Sequence, residues 1–217
     1  PAGDAGPRSA APVPISSAKT SSPHPEPVSE AGEAFINGEI PMSGLILPYN
    51  DILPKIADDA FIAQNAVIIG DVEIGPEANI WYNVVVRGDV ASIRIGARAN
   101  IQDGTIVHVS RGRAGTVIGD DVTIGHMAII HACTLESHAF VGMGATVMDG
   151  AVVEGGGMVA AGALLTPNKR VKKGELWSGS PAKYWRQLTD EENRTLPQTA
   201  AHYAKMAQSY RKVAEGK

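Results

Sequence analysis

Between residues 62 and 165 an aliphatic side chain returns at every sixth position. It falls at Ile62, Ile68, Ile74, Ile80 and Val86, then at Ile95, Ile101 and Val107, then at Ile118, Ile124 and Ile130, and last at Leu135, Val141, Val147, Val153, Val159 and Leu165. Glycine often follows, as in Ile74-Gly75, Ile95-Gly96 and Ile124-Gly125. A β-sandwich would alternate with a period of two, with turn signals every 8–12 residues or so. A hexapeptide period instead predicts an all-β solenoid: a parallel β-helix in which three short strands make one triangular coil of about eighteen residues, each beat pointing into the prism. Three slips interrupt the count, of nine residues from Val86 to Ile95, eleven from Val107 to Ile118 and five from Ile130 to Leu135. The second leaves surplus residues around SRGRAGT (110–116), which are expected to loop out.

After Leu165 the beat is read as ending, and LWSGSPAKYWRQL leads into a helical tail. Thr189-Asp190-Glu191-Glu192 has the form of a capping box, with Thr189 as N-cap and Glu192 reaching back. Pro197 is expected to interrupt the helix, and Tyr203, Met206, Ala207, Tyr210 and Val213 then form one helical stripe. A solenoid end is an unpaired sheet edge, so this C-terminal α-helix is expected to cap it. At the other end, residues 1–30 hold seven of the fourteen prolines and few large apolar groups. Such a segment cannot bury enough surface to offset the entropy of ordering it. The expected organisation is a disordered or extended tail over 1–44, a β-helix domain over 45–180 and a helical tail over 181–217.

Composition narrows the function. Aromatics make up only 5% of the 217 residues, which suits a narrow stack of aliphatic layers. The net charge of −4, without a basic cluster, argues against a nucleic-acid partner. No apolar run reaches the eighteen or so residues of a membrane span. The single cysteine, Cys133, rules out an intrachain disulfide framework and reads as a small buried filler. A reducing, cytoplasmic location is expected, or a mitochondrial one if a leader was removed before Pro1.

The repeat also serves as a ruler for the histidines in GHMAIIHAC (125–133). His108 lies one past the beat at Val107 and His131 one past the beat at Ile130. With the looped residues discounted they are one coil apart, stacked on one outer face. His126, two past Ile124, belongs to the preceding side of the prism and cannot easily reach the same point within one chain. If three prisms pack around a threefold axis, His126 of one subunit can face the pair on the next. Three imidazoles with an open fourth position make a catalytic zinc arrangement, whereas structural zinc sites are closed by four ligands. His24, His138 and His202 fall outside this pattern and read as surface residues.

The stretches RGDVASIRIGARANIQDGTIVHV (87–109), IGHMAIIHAC (124–133), VGMGATVMDGAVV (141–153) and GSPAKYWR (179–186) resemble the γ-class carbonic anhydrases. The likeness covers roughly residues 45–190. It implies a left-handed β-helix and a homotrimer with three interfacial metal sites, each taking His108 and His131 from one subunit and His126 from its neighbour. It implies zinc, with cobalt or ferrous iron as alternatives, and reversible hydration of CO2 to bicarbonate by a metal-bound hydroxide. Arg87 and Asp89 match an intersubunit ion pair beside the metal, Gln102 a side chain that hydrogen-bonds the metal-bound water, and Asn100 and Asp103 residues that brace the pocket.

In one respect the chain departs from that family pattern. Val90 stands where an acidic proton-shuttle residue follows the Arg-x-Asp motif, and HVSRGRAGT (108–116) carries no carboxylate. Slow or buffer-dependent turnover is therefore expected. The alternatives are a weakly active or inactive structural subunit of a larger assembly and, less well supported, a hexapeptide-repeat acyltransferase using one histidine as general base.

Overall fold

The interior of the protein shows why the hexad exists. In the computed structural model, which describes residues 44–112 and 115–214, the beats stack coil upon coil: Ile68 pairs with Val86, Val86 with Val107, Val107 with Ile130, Ile130 with Val147 and Val147 with Leu165. All six are fully buried. Every strand pair but the last, Glu175–Gly179 with Ala182–Gln187, is parallel, and the result is a parallel β-solenoid of about seven turns. The expected tail over 1–44 lies, except for Gly44, outside the described residues.

The prism has three faces. One, the histidine face, carries Leu45–Leu47, Ile106–His108, Ile129–His131, Thr146–Val147 and Leu164–Leu165. A second carries Lys55–Ile56, Thr116–Ile118, Thr134–Leu135, Val152–Val153 and Arg170–Val171. Two long strands, Val67–Ile74 and Val85–Ile95, turn the corner and belong to both. The third face runs from Phe61–Ile62 through Asn79–Ile80, Asn100–Ile101 and Thr123–Ile124 to Glu175–Gly179.

The beat extends beyond the range read from sequence. Val171 is fully buried and pairs with Val153, and Trp177 takes the next position opposite Val159. Ile46 and Ile56 precede the first beat, paired with Ile68 and Ile74. The tryptophan replaces the aliphatic signature at one end, and KKGEL replaces the usual glycine after Val171, which hid the last coil. The antiparallel strand Ala182–Gln187 then closes the third face.

Each slip has a structural counterpart. Gly70 pairs with Gly88 but Val72 pairs with Ile93, so the nine-residue slip is a bulge that holds Asp89, Val90 and Ala91 out from the strand. Gly88 is required there, because a Cβ would sit 2.5 Å from the Asp71 carbonyl oxygen. The eleven-residue slip leaves the prism after buried Val109. The five-residue slip turns at Ala132, whose φ of 45° lies in the left-handed region, a strain of roughly 1–2 kcal/mol for a residue with a Cβ.

The helix α1 (Asp190–Ala214) begins at the expected capping box: the Glu192 carboxylate accepts from the Thr189 backbone N–H at 2.8 Å, and the Thr189 hydroxyl accepts from the Glu192 N–H at 3.2 Å. Pro197 does not interrupt it. A proline inside a helix costs roughly 3 kcal/mol, so tertiary packing must hold the helix together. Ala207, Tyr203 and Met206 pack on Phe61 and Trp81, and the Tyr210 ring lies 5.2 Å from that of Trp81. The helix thus runs along the third face of the early coils rather than across the end of the stack. It lies against the strands of Phe61, Asn79 and Asn100, the outward-pointing neighbours of three beats, all buried. Among the described residues no helix is long and apolar enough to cross a membrane.

Candidate metal centre

His108 and His131 occupy directly paired positions on adjacent rungs, as the ruler expected. Their rings are 5.2 Å apart, and His108 Nδ1 faces His131 Nε2 at 3.2 Å. The outer nitrogens are each held by a carboxylate. His108 Nε2 lies 3.1 Å from Asp89 Oδ1, and His131 Nδ1 lies 2.6 Å from Asp149 Oδ1.

Both carboxylates are held below the usual acid range. Burial raises the Asp89 carboxyl, but hydrogen bonds from His108 and Arg87 outweigh it. For Asp149 the Ser110 hydroxyl is the largest influence; burial opposes it and His131 adds to it. Ionised carboxylates only accept, so the outer ring nitrogens carry the protons. When both rings are neutral, the inner pair, His108 Nδ1 and His131 Nε2, present two lone pairs to each other.

A proton or a metal ion between them relieves the repulsion. Two imidazole ligands at about 2.0–2.1 Å from a tetrahedral zinc ion have nitrogens roughly 3.3–3.4 Å apart, close to the 3.2 Å seen. The pair therefore fits a divalent metal. Among the described residues no three His, Cys, Asp or Glu side chains of one chain gather to hold one.

His126 stands at the following corner of the third face. Its Nδ1 lies 2.8 Å from Asp103 Oδ2. Asp103, two past Ile101 as His126 is two past Ile124, occupies the same corner one coil earlier. Its other carboxylate oxygen accepts from the Tyr82 backbone N–H at 3.2 Å.

The remaining expected residues separate into two groups. Arg87 forms its ion pair with Asp89 inside one chain, so any hold on a neighbour uses the other donors of its guanidinium. Gln102 is buried beside the His126 corner. Asn100 faces the helix instead: its Oδ1 accepts from Trp81 Nε1 at 3.0 Å, and its buried Nδ2 has no hydrogen-bond partner among the described residues. Cys133 is buried, and that burial pushes its thiol up to about 12, so it is chemically inert. His138 and His202 are exposed.

Asp149 and Ser110 were missed in the sequence. The ruler passes over Asp149, because Ile130 pairs with Val147 and the position registered with His131 is Met148, one residue before it. Also unread were Ile106, Ile129, Met127 and Met143, which stay exposed around the histidines. An apolar patch beside an incomplete site is what a contact with a further copy would cover.

Comparison with known proteins supplies the family. A family model for the bacterial transferase hexapeptide (six repeats) matches residues 54–88. The chain is 44% identical over 184 residues to gamma carbonic anhydrase 1, mitochondrial, of Arabidopsis thaliana, covering 82% of this chain and 67% of that protein. It is 40% identical over 167 residues to a carbonic anhydrase of Geobacillus kaustophilus, covering 77% and 91%. The chain belongs to the γ-class carbonic anhydrases. A crystal structure of a hexapeptide transferase family protein from Anaplasma phagocytophilum shares 53% identity and superposes with a TM-score of 0.74, covering 76% of this chain and 98% of that one. Within this γ-class chain Val90, next to Asp89 in the bulge, packs partly buried against the core. It offers no group that could carry a proton.

Proposed function

We propose that this chain is the subunit of a homotrimeric carbonic anhydrase that reversibly hydrates CO2 to bicarbonate. Its three zinc sites lie between subunits, each using His108 and His131 of one subunit and the partner subunit's His126. The observation that carries this reading is the close approach of His108 Nδ1 and His131 Nε2, each ring held from its far side by a carboxylate, with the third histidine displaced to another corner. A divalent metal held by three imidazoles lowers the pKa of a coordinated water to about 7 and so supplies a nucleophile at neutral pH.

The chain's own residues do the rest. Asp89, Asp103 and Asp149 accept hydrogen bonds from the outer ring N–H groups and hold each imidazole with its ligating nitrogen inward. Gln102 orients the attacking water. Arg87, kept in place by Asp89, uses its free donors across the subunit boundary, and the apolar patch of Ile106, Ile129, Met127 and Met143 is covered there. The proton released must leave to buffer, because the bulge offers Val90 where a relay would stand. The compartment follows the plant relative, whose name carries the mitochondrion, or is the cytoplasm.

The decisive experiment is stopped-flow CO2 hydration on metal-analysed protein. Hydration that needs the metal and rises with buffer concentration establishes the reading. Bound metal without hydration at any buffer concentration would favour the second reading, a structural subunit of a larger assembly, which Val90 alone recommends.

A further inference from the structure

We infer that Asp149, held by Ser110, is the positioning residue that fixes His131 with Nε2 free for a divalent metal. The inference rests on the proposed metal centre. Asp149 sits on the coil after His131, and its Oδ1 meets His131 Nδ1 at 2.6 Å. Its second oxygen accepts from the Ser110 hydroxyl at 2.5 Å, across 39 residues of chain. Ser110 follows buried Val109, at the root of the loop that leaves the prism.

The backbone around Asp149 is stapled on both sides. Its carbonyl accepts from the Asn168 N–H at 2.9 Å, and the Gly150 N–H donates to the Ala132 carbonyl at 2.7 Å. A carboxylate fixed at both its backbone and its far oxygen presents the near oxygen at one point. Against it, His131 gains a strong charge-assisted hydrogen bond only as the Nδ1–H tautomer. Asp89 does the same for His108 from the coil before. The two rings are thus gripped from opposite sides along the solenoid axis, and their free nitrogens are turned toward each other.

The test uses the full chain, histidine-labelled with 15N and metal-free, and reads the protonated ring nitrogen of His131 by long-range 1H–15N NMR. Zinc affinity is measured beside it by chelator competition. Wild type should show Nδ1–H. Asp149→Ala should abolish that preference and weaken zinc binding about 10–100-fold, the usual cost of removing a group that orients a ligand. Asp149→Asn, whose amide oxygen still accepts, should keep the tautomer while losing part of the affinity, and Ser110→Ala should lose less than Asp149→Ala. A wild-type His131 without a proton on Nδ1, or Asp149→Ala with unchanged tautomer and affinity, would overturn the inference. If Asp149→Ala does not fold, the Asn and Ser110 variants carry the same comparison. Neither readout needs turnover, so protein that binds zinc but hydrates no CO2 sinks the proposed reaction and leaves this inference standing.

Discussion

His126 Nδ1 lies 2.8 Å from Asp103 Oδ2, which gives the third histidine a carboxylate of its own, as Asp89 serves His108 and Asp149 serves His131. Both partners are about 40% exposed, and a pair in that setting contributes about 0–1 kcal/mol to stability. Its value is in orientation. Asp103→Ala should therefore leave the melting temperature within a few degrees of wild type while weakening zinc binding roughly 10–100-fold. Chelator competition against the folded variant checks this, and undiminished affinity would mean that His126 does not depend on Asp103 for its ligating geometry.

His108→Ala removes one of the two facing ring nitrogens but no fully buried side chain, since the imidazole lies on the outer face. Metal content should fall from one ion per subunit to none after dialysis, with the trimer and its β-sheet spectrum retained. Full stoichiometric metal in the variant, measured by atomic emission, would show that the ligand assignment is wrong.

Arg87 stands on the rung before His108, and its guanidinium is 43% exposed in one chain after pairing with Asp89. An exposed pair of that kind matters little within a subunit, so its loss should appear between subunits. Arg87→Ala should raise the concentration at which trimers dissociate in light scattering, with little change in far-UV circular dichroism. A trimer that survives dilution as wild type does would return Arg87 to the role of an ordinary surface ion pair.

What could be read in advance was what repeats. Ile130 over Val107, and hence His131 over His108, follows from counting, because one aliphatic per six residues leaves the prism no other filling. The reading weakened where the chain stops repeating. Trp177 holds an interior rung without looking like its neighbours. Asp149 escaped because the five-residue slip shifts the register, pairing Ile130 with Val147 at 17 residues while the side-chain contact stays at 18. The docking of α1 on the third face depends on Phe61 and Trp81, outward residues whose partners lie more than 120 positions away. No local pattern reports such a contact, and it also sustains the helix through Pro197.

The start of α1 should be sensitive to acid. Hydrogen bonds from Arg186, followed by the Thr189 backbone, hold Glu192 at about 2 against an ordinary 4.5. A carboxyl depressed in the folded state stabilises above its unfolded pKa and loses that contribution as pH falls toward the folded one. The stability advantage of wild type over Glu192→Gln should be complete at pH 6 and shrink between pH 4.5 and about 2. Thermal unfolding followed at 222 nm across that range tests it, and a constant difference would mean that the Arg186–Glu192 contact does not persist in solution.

Val90 sets the last expectation. Hydration releases one proton per turnover, and the bulge beside Asp89 presents an aliphatic side chain packed against the core where a carboxylate could have passed that proton outward. With no internal relay, the maximal rate should be limited by transfer to buffer, rising with imidazole concentration before chemistry takes over. Val90→Glu would place a carboxylate on the same bulge, and because Val90 is only partly buried, the longer side chain can reach solvent without disturbing the beats at Val86 and Ile95. In that variant the rate at low buffer should rise several-fold and the buffer dependence flatten, while the zinc content stays unchanged. If wild type already turns over independently of buffer, a relay exists elsewhere and Val90 is no bottleneck. If Val90→Glu leaves the buffer dependence as steep as before, proton transfer is not controlled at this bulge.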